Sequence, residues 1–231
     1  MDSPEVQRIL FYPRSAARTD LPAGASDVDI EVEPGIKIGC RLFTAAKERP
    51  TILFFHGNGE ILSDYDTIGP VYTQLQLNLL VTDYRGYGWS DGTPSFSTFL
   101  SDSHVVYARV KEFLSKNGYS PTLFIMGRSL GSASAIELAQ AYNDDISGLI
   151  IESGFADTLP LAETLGADLA KINITEEQTF NNGDKIKHVT KPTFLLHGQR
   201  DTLIPLWQAE ELHAECGARS KELQVVPGAD H

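Results

Sequence analysis

Six short apolar runs recur along this chain, and they constrain its fold more than any other feature of the sequence. None of them alternates between apolar and polar residues, which is typical of strands buried on both faces of a parallel sheet. In chain order they are TILFF (51–55), LLVTD (79–83), TLFIM (122–126), GLIIE (148–152), TFLLH (193–197) and LQVV (223–226).

An alternating segment precedes these runs. Over residues 27–43, DVDIEVEPGIKIGCRLF, apolar residues recur at every second position on both sides of a Pro34-Gly35 turn. Alternation of this kind, interrupted by turn residues, predicts a β-hairpin. We expect the hairpin to add an antiparallel strand at one edge of the sheet.

Helical patterns separate the apolar runs. One helix is expected to begin with Ser97 as its N-cap and to end at Asn117-Gly118, another follows residue 129, and a third covers about 206–216. Strands that alternate with helices predict an α/β fold, in which a mostly parallel sheet carries helices on both faces. A chain of 231 residues is long enough for one sizeable domain, and we expect residues 1–231 to form it.

The charge of the chain disfavours some classes of partner. Its 31 acidic and 19 basic residues give a net charge of −12, and no basic cluster offsets it locally, which opposes binding to nucleic acid and to anionic membrane surfaces. The N-terminus has no basic start followed by a long apolar run, and no window is long enough to span a bilayer. We therefore expect a cytoplasmic protein without stable membrane insertion, whose oligomeric state is unknown.

Neither the cysteines nor the histidines have the spacing of a metal site. Cys40 and Cys216 lie far apart and give no disulfide framework, so neither a metal nor a cofactor is expected. The loop DYRGYGWSDG (83–92) lacks the lysine and the glycine spacing of a phosphate-binding loop. There we expect Asp83 and Arg85 to hold the backbone and each other.

The residues that follow the strands indicate catalysis. Ligands of open α/β sheets bind at the carboxyl ends of the strands, where this chain has Ser129 within G-x-S-x-G, then Asp201, then His231. This is the order of an acyl-transfer triad on a doubly wound sheet. Because a serine hydroxyl is a poor nucleophile at neutral pH, an imidazole must take its proton, and a carboxylate must hold the imidazole in the correct tautomer.

Two backbone N–H groups are candidates to bind the oxyanion of such a reaction. One belongs to Leu130, directly after the nucleophile, and the other to Asn58 in the loop after TILFF. Gly127 and Gly131 allow a strand to turn directly into a helix without a clash, and we expect a strained backbone at Ser129.

Each of these residues also has a structural interpretation. Ser129 could serve as a helix cap, and His231 as an ordinary loop residue. Glu152 and Asp157 follow a neighbouring strand, where some hydrolases carry their acid. The remaining histidines are expected to be structural, with His56 bracing the loop that carries the oxyanion donor.

Six segments together resemble the α/β-hydrolase superfamily, and within it the small serine hydrolases of the BEM46-like group. The segments are LFFHGNGE, LLVTDYRGYGWSDGTPS, LFIMGRSLGSASAIELA, LIIESGF, KPTFLLHGQRDTLIP and VVPGADH. The resemblance implies an α/β-hydrolase fold with an eight-stranded sheet. It also implies that Ser129 is the nucleophile, Asp201 the acid and His231 the base, with Asn58 and Leu130 as oxyanion donors.

The chain departs from the family pattern in two ways. Many relatives have a small residue where this chain has Glu60, whose carboxylate could repel developing negative charge or exclude acidic substrates. Relatives also continue past the base with a loop and a final helix. The alternatives are therefore a truncated sequence and a base carried on a free C-terminus.

The segment of about 155–191 is the place for a short cap or lid. It offers an apolar face of Leu159, Leu165, Leu169 and Ile172, and the alternative is an ordinary covering helix. Because a small cap leaves the nucleophile open, we expect a serine hydrolase that cleaves small-molecule carboxylic esters of small to medium acyl groups. A thioesterase, amidase or acyltransferase with the same triad and a non-catalytic hydrolase-like binding protein are the alternatives.

Overall fold

The computed structural model describes residues 4–168 and 174–231, and this part of the chain contains one eight-stranded sheet. Its strands are β1 (Ala25–Glu33), β2 (Ile36–Phe43), β3 (Thr51–Phe55), β4 (Asn78–Thr82), β5 (Leu123–Arg128), β6 (Gly148–Glu152), β7 (Thr193–Gly198) and β8 (Lys221–Val226). Their order in the sheet is β1-β2-β4-β3-β5-β6-β7-β8. β2 runs antiparallel to β1 and β4, and the other neighbouring pairs are parallel. The mostly parallel sheet with an N-terminal hairpin is thus confirmed.

Helices connect the strands and cover the sheet. The described helices are α1 (Pro4–Leu10), α2 (Gly69–Gln74), α3 (Phe96–Lys116), α4 (Gly131–Ala141), α5 (Thr158–Thr164), α6 (Asn182–Lys185) and α7 (Leu206–Glu215). Short 3-10 turns lie at Leu62–Tyr65, Glu176–Gln178 and Ile186–His188. Within the described ranges, no helix combines the length and the apolar character needed to cross a membrane.

The central strands are buried on both faces, as their continuous apolar runs predict. In β3, Leu53 and Phe55 belong to a large core that α3, α4 and α7 also line. The alternate residues Ile52 and Phe54 belong to a second core on the opposite face, beside the 3-10 turn at Leu62–Tyr65. The short side chains of α4 let this helix pack closely on the sheet, which places its first turn beside the end of β3.

The N-cap of α3 differs from the prediction. Ser95 is the cap: its Oγ accepts a hydrogen bond of 3.1 Å from the N–H of Thr98, and its own N–H donates to Oγ1 of Thr98 at 3.0 Å. Ser97, the predicted cap, lies in the first turn of the helix. The predicted end is confirmed, because Asn117 is the C-cap and Gly118 adopts a φ of 73°.

The prediction that Asp83 and Arg85 bind each other is wrong. Arg85 forms a two-pronged pair with Asp102 of α3, with N···O distances of 2.6 and 2.8 Å, and its third nitrogen reaches Glu33 at 2.8 Å. Asp83 instead contacts the ring of His56 at 3.0 Å. The long Arg85 side chain reaches partners that are distant in sequence, whereas the short Asp83 side chain contacts the loop that follows β3.

Candidate active site

Ser129 lies on a sharp turn between β5 and α4. Its φ is 51°, in the left-handed region that non-glycine residues rarely adopt, and its N–H donates to the carbonyl of Glu152 at 2.9 Å. A Cβ on Gly127 would collide with the backbone of Gly131, and a Cβ on Gly131 would collide with the carbonyl oxygen of Phe55. These clashes explain why glycine is needed at both positions, and the positive φ of Ser129 is the strained backbone that the sequence predicts.

Three side chains from distant parts of the chain form one hydrogen-bonded line. Nε2 of His231 lies 2.9 Å from Oγ of Ser129, and Nδ1 of His231 lies 2.8 Å from Oδ2 of Asp201. If Nδ1 donates to the carboxylate, Nε2 is left with a lone pair that faces the serine hydroxyl. The structure thus brings together the nucleophile, base and acid candidates in the geometry that proton transfer requires.

The Asp201 carboxylate is fixed by the backbone that follows it. Its side chain is buried, and its Oδ1 accepts hydrogen bonds from the N–H groups of Leu203 at 3.0 Å and Ile204 at 2.8 Å. These donors leave Oδ2 to face His231. A carboxylate held at both oxygens has little freedom to turn away from the imidazole.

A second histidine lies beside Asp201, and sequence reasoning missed its proximity to the site. The buried ring of His197 places Nε2 2.7 Å from the carbonyl oxygen of Ile204 and 3.4 Å from Oδ2 of Asp201. Since a carbonyl only accepts, Nε2 carries the proton. The spacing of His197 and Asp201, four residues apart across the end of β7, is the signal that could have indicated this contact.

The two oxyanion candidates come from elements that the structure packs together. Leu130 immediately precedes α4, and Asn58 lies in the loop after β3. The first turn of α4 touches the carbonyls of Phe55 and His56, so the loop lies beside the serine turn. Within the ranges 4–168 and 174–231, neither backbone N–H of these two residues has a hydrogen-bond acceptor.

His56 fixes the orientation of the peptide group that joins Gly57 to Asn58. Nδ1 of His56 donates to the carbonyl oxygen of Gly57 at 2.8 Å, and Nε2 pairs with Oδ1 of Asp83 at 3.0 Å. Because the C=O and N–H of a trans peptide point in opposite directions, the N–H of Asn58 points away from the imidazole. His56 thus braces the loop, as expected. Burial raises the pKa of the Asp83 carboxyl.

The side chain of Asn58 has a separate role, which the sequence did not reveal. Its Oδ1 accepts from the N–H of Tyr12 at 2.8 Å and from the hydroxyl of Tyr87 at 2.7 Å. Its Nδ2 donates to the carbonyl of Leu10 at 2.9 Å. The chain that follows α1 is thus fastened directly to the loop that carries an oxyanion candidate.

The other carboxylates considered for the acid role lie elsewhere. Oε1 of Glu152 is 3.3 Å from Nε of Arg128, and Asp157 is the residue that precedes α5. In the part of the chain that the structure describes, the acid in contact with His231 is Asp201. Glu60, the departure from the family pattern, is not an isolated carboxylate, because it pairs with Arg128.

Residues 155–168 and 174–191 are the described part of the expected cap segment, about 155–191, and they pack against the body of the fold. This part contains α5, α6 and two short 3-10 turns, and the side-chain oxygen of Gln208 in α7 accepts from the N–H groups of Ala156 and Asp157 at 2.8 Å each. Of the apolar face predicted here, Leu159 is half-buried and Leu165 is exposed. Positions 169 and 172 lie outside the described residues.

Comparisons with known proteins show which proteins this chain resembles. A family model described as serine aminopeptidase, S33, matches residues 46–173. The protein bem46 of Schizosaccharomyces pombe is 31% identical over 192 residues, which cover 80% of this chain and 62% of that protein. The α/β-hydrolase domain-containing protein WAV2 of Arabidopsis thaliana is 26% identical over 231 residues, which cover 93% of this chain and 73% of that protein. The chain thus spans less than two thirds of the length of the yeast relative.

A solved structure has the same fold. The esterase Pf2001 of Pyrococcus furiosus superposes with a TM-score of 0.77 at 20% sequence identity, over 95% of this chain and 88% of that chain. At this identity, the likeness shows a common arrangement of strands and helices.

Proposed function

The chain belongs to the α/β-hydrolase family that the serine aminopeptidase S33 model describes, and from this premise we propose that it is a serine hydrolase of carboxylic esters with small to medium acyl groups. The observation that carries the proposal is the line of hydrogen bonds from Ser129 through His231 to Asp201. A helix cap without chemistry has no need of an imidazole on its hydroxyl, or of a buried carboxylate behind that imidazole.

The hydrogen bonds that join Ser129, His231 and Asp201 account for the acylation half of the reaction. Nε2 of His231 takes the proton of the Ser129 hydroxyl as Oγ attacks the ester carbonyl carbon, and the carbonyl oxygen becomes an oxyanion that accepts hydrogen bonds from the N–H groups of Asn58 and Leu130. The intermediate then collapses and the bond to the alkoxy oxygen breaks. His231 returns its proton to that oxygen, and the alcohol leaves.

Deacylation repeats the sequence with water. Nε2 of His231 removes a proton from a water molecule, and the hydroxide oxygen bonds to the acyl carbon of the ester formed on Ser129. The second oxyanion uses the same two N–H groups. Collapse breaks the bond between the acyl carbon and Oγ, the serine oxygen regains the proton from His231, and the carboxylic acid is released. Asp201 stays ionised throughout and stabilises the imidazolium in both halves.

Two considerations favour esters of modest size. The cap segment is short, and its described part is bound to α7 through Gln208, so we assign recognition to the acyl group and the bond that is cleaved. The likeness to Pf2001, which is named an esterase, supports an oxygen ester. Resonance with the amide nitrogen makes an amide carbonyl carbon less electrophilic than an ester carbonyl carbon, so the same triad acts faster on esters than on amides.

A substrate panel tests the proposal. Purified protein is assayed with p-nitrophenyl esters from acetate to dodecanoate, an acyl thioester, an aminoacyl amide, and an ester with added alcohol acceptors. We expect the highest kcat/KM for the acetate to octanoate esters, and its loss in Ser129→Ala. Faster turnover of the thioester or amide, or preferential transfer to the alcohol, would favour the alternative chemistries that share the acyl-enzyme. Equal rates for the wild type and Ser129→Ala would favour a non-catalytic binding protein.

A further inference from the structure

Glu60 closes the loop that carries the Asn58 N–H. Its Oε2 accepts a hydrogen bond of 2.8 Å from the N–H of Gly57, and the hydroxyl of Tyr65 donates to the same oxygen at 2.6 Å. The N–H of Glu60 also donates to the carbonyl oxygen of Gly57 at 3.3 Å. Glu60 thus binds both backbone polar groups of Gly57: its side chain accepts from the N–H, and its own N–H donates to the carbonyl oxygen.

Arg128 connects this loop to the nucleophile. It is the last residue of β5, directly before Ser129, and its Nη1 pairs with Oε1 of Glu60. The guanidinium packs against the loop so closely that a Cβ on Gly57 would lie 2.9 Å from Nη1 and 2.9 Å from Oε1 of Glu60. A side chain at position 57 would therefore have to displace the ends of both charged side chains.

The ion pair is shielded and supported. The side chains of Glu60 and Arg128 are only 25% and 21% exposed, respectively, which reduces screening by solvent and salt. Arg128 is also held by Glu152, whose Oε1 lies 3.3 Å from Nε. The pair therefore has a defined geometry, unlike an ion pair between mobile surface side chains.

We infer that Glu60 and Arg128 are positioning residues that hold the two oxyanion donors in register. This inference rests on the proposed function. One donor, Leu130, lies on the serine turn next to Arg128, and the other, Asn58, lies on the loop that Glu60 closes. The ion pair is a direct side-chain link between those two elements. Because an oxyanion must meet both N–H groups at hydrogen-bond distance, a shift of the loop by about 1 Å weakens transition-state binding more than substrate binding.

The same contacts account for a carboxylate near a site where negative charge develops. The positive charge of Arg128 offsets that of Glu60, and Oε2 of Glu60 already accepts from Gly57 and Tyr65. Glu60 therefore acts on the reaction through the loop rather than by direct repulsion of the substrate.

The test compares Glu60→Ala and Glu60→Gln with the matched control Glu152→Gln. Glu152 binds the same arginine and makes no contact with Gly57 among the hydrogen bonds of the described residues, so its variant removes a charge from Arg128 without opening the loop. Steady-state rates are measured with the best p-nitrophenyl ester of the panel, and folding is checked by thermal unfolding. We expect Glu60→Ala to lower kcat about 10- to 100-fold, with KM changed less than about threefold.

Conservative variants separate the effect of the charge from the effect of the hydrogen bond. Glu60→Gln keeps an oxygen that can accept from Gly57 but loses the charge, so its kcat should lie between that of Glu60→Ala and that of the wild type. Arg128→Lys keeps a charge for Glu60, and should retain more activity than Arg128→Met. Glu152→Gln loses one partner of Arg128 but keeps the Glu60–Arg128 pair and the hydrogen bond from Gly57, so it should lower kcat less than Glu60→Ala does.

Hydrogen exchange separates the failure of this inference from the failure of the proposed function. If the wild type neither turns over esters nor reacts with a fluorophosphonate, the proposed function fails, and exchange at the N–H groups of residues 57–60 still decides whether Glu60 holds the loop. Faster exchange there in Glu60→Ala than in Glu152→Gln supports the link. An active wild type with equal kcat in Glu60→Ala and Glu152→Gln, or a change in KM alone, would overturn the inference.

Discussion

Nε2 of His231 lies 2.9 Å from Oγ of Ser129, although 102 residues separate the two along the chain. The parallel sheet makes this contact possible. Ser129 follows β5, Asp201 follows β7 and His231 follows β8. Because these strands are parallel, all three residues lie at the edge of the sheet formed by the carboxyl ends of the strands. The serine turn raises its hydroxyl above that edge because two glycines let the helix pack against the strand.

Removing the charge of Asp201 should impair catalysis while the fold persists. In Asp201→Asn, the amide oxygen can still accept from the backbone of residues 203 and 204, but the side chain no longer stabilises an imidazolium or imposes the tautomer of His231. We expect kcat to fall about 10³- to 10⁴-fold. The measurement is steady-state ester hydrolysis, with Asp157→Asn, a change at one of the alternative acids, as the control. A larger loss in the control would move the acid role to residue 157.

The close contact of α4 with the end of β3 should make Gly131 intolerant of any side chain. Gly131→Ala drives a methyl group into the carbonyl oxygen of Phe55, a backbone atom that cannot move without displacing the oxyanion loop. We expect a loss of about 3 kcal/mol or more in the free energy of unfolding, measured by urea denaturation. Gly183→Ala is the control, because its Cβ would meet no atom closer than 3.6 Å. Equal stabilities of the two variants would contradict this account of the turn.

The Asn58 side chain should fasten the chain that follows α1 to the oxyanion loop. Asn58→Ala leaves the backbone N–H of residue 58 in place but removes the donor to the Leu10 carbonyl and one of the two acceptors of the Tyr12 N–H, which keeps the Tyr87 hydroxyl. We expect faster hydrogen exchange over residues 4–14 and a loss of about 2 kcal/mol in stability. Asn143→Ala, which removes two hydrogen bonds to Thr190 on another part of the surface, serves as the control. Unchanged exchange over residues 4–14 in Asn58→Ala would show that other contacts hold this segment.

Glu137 should make the free energy of unfolding depend on pH in the acid range. The hydrogen bond from His104 and the ion pair with Lys185 lower the pKa of Glu137 from an ordinary 4.5 to about 2. Its contribution to stability is therefore complete above pH 4.5 and is lost as the pH falls towards 2. We expect Glu137→Gln to cost about 1–2 kcal/mol at pH 7, a difference from the wild type that shrinks below pH 4.5.

The measurement for Glu137 is urea denaturation of the wild type and the variant between pH 7 and pH 3. Glu112→Gln provides the comparison, since this carboxylate pairs with Lys116 and Arg109 on the solvent-exposed side of α3. It should change the unfolding midpoint less than Glu137→Gln does. A stability difference for Glu137→Gln that stays constant down to pH 3 would mean that the pairing does not depend on ionisation in this range.

Much of the sheet could be predicted from the apolar runs, because burial on both faces leaves a continuous signature. The predicted runs agree with the strands to within two residues at the N-terminal ends. The TLFIM strand continues to Arg128 because its backbone still pairs with Glu152 of β6 there. The cap of α3 was misplaced by two residues because Ser95 and Ser97 are both suitable in type, and only the hydrogen bonds to Thr98 distinguish them.

The site was partly accessible from sequence, since strand ends could be located and residue types assigned there. What escaped prediction are side-chain pairings between distant segments. Arg85 reaches Asp102, Asn58 holds Tyr12, and Arg128 holds Glu60, and no periodicity records such contacts. They depend on the relative positions of loops, which the fold determines and local pattern does not.

Reaction with a fluorophosphonate tests the central claim most directly, because the probe requires an activated serine but no particular substrate. The folded protein is labelled, digested, and mapped by mass spectrometry, with His231→Ala labelled in parallel. We predict a single adduct on Ser129 that forms rapidly in the wild type and at least about 100-fold more slowly in His231→Ala. An unmodified Ser129 in the folded wild type, or an adduct on another residue, would contradict the claim that these side chains form a working nucleophile.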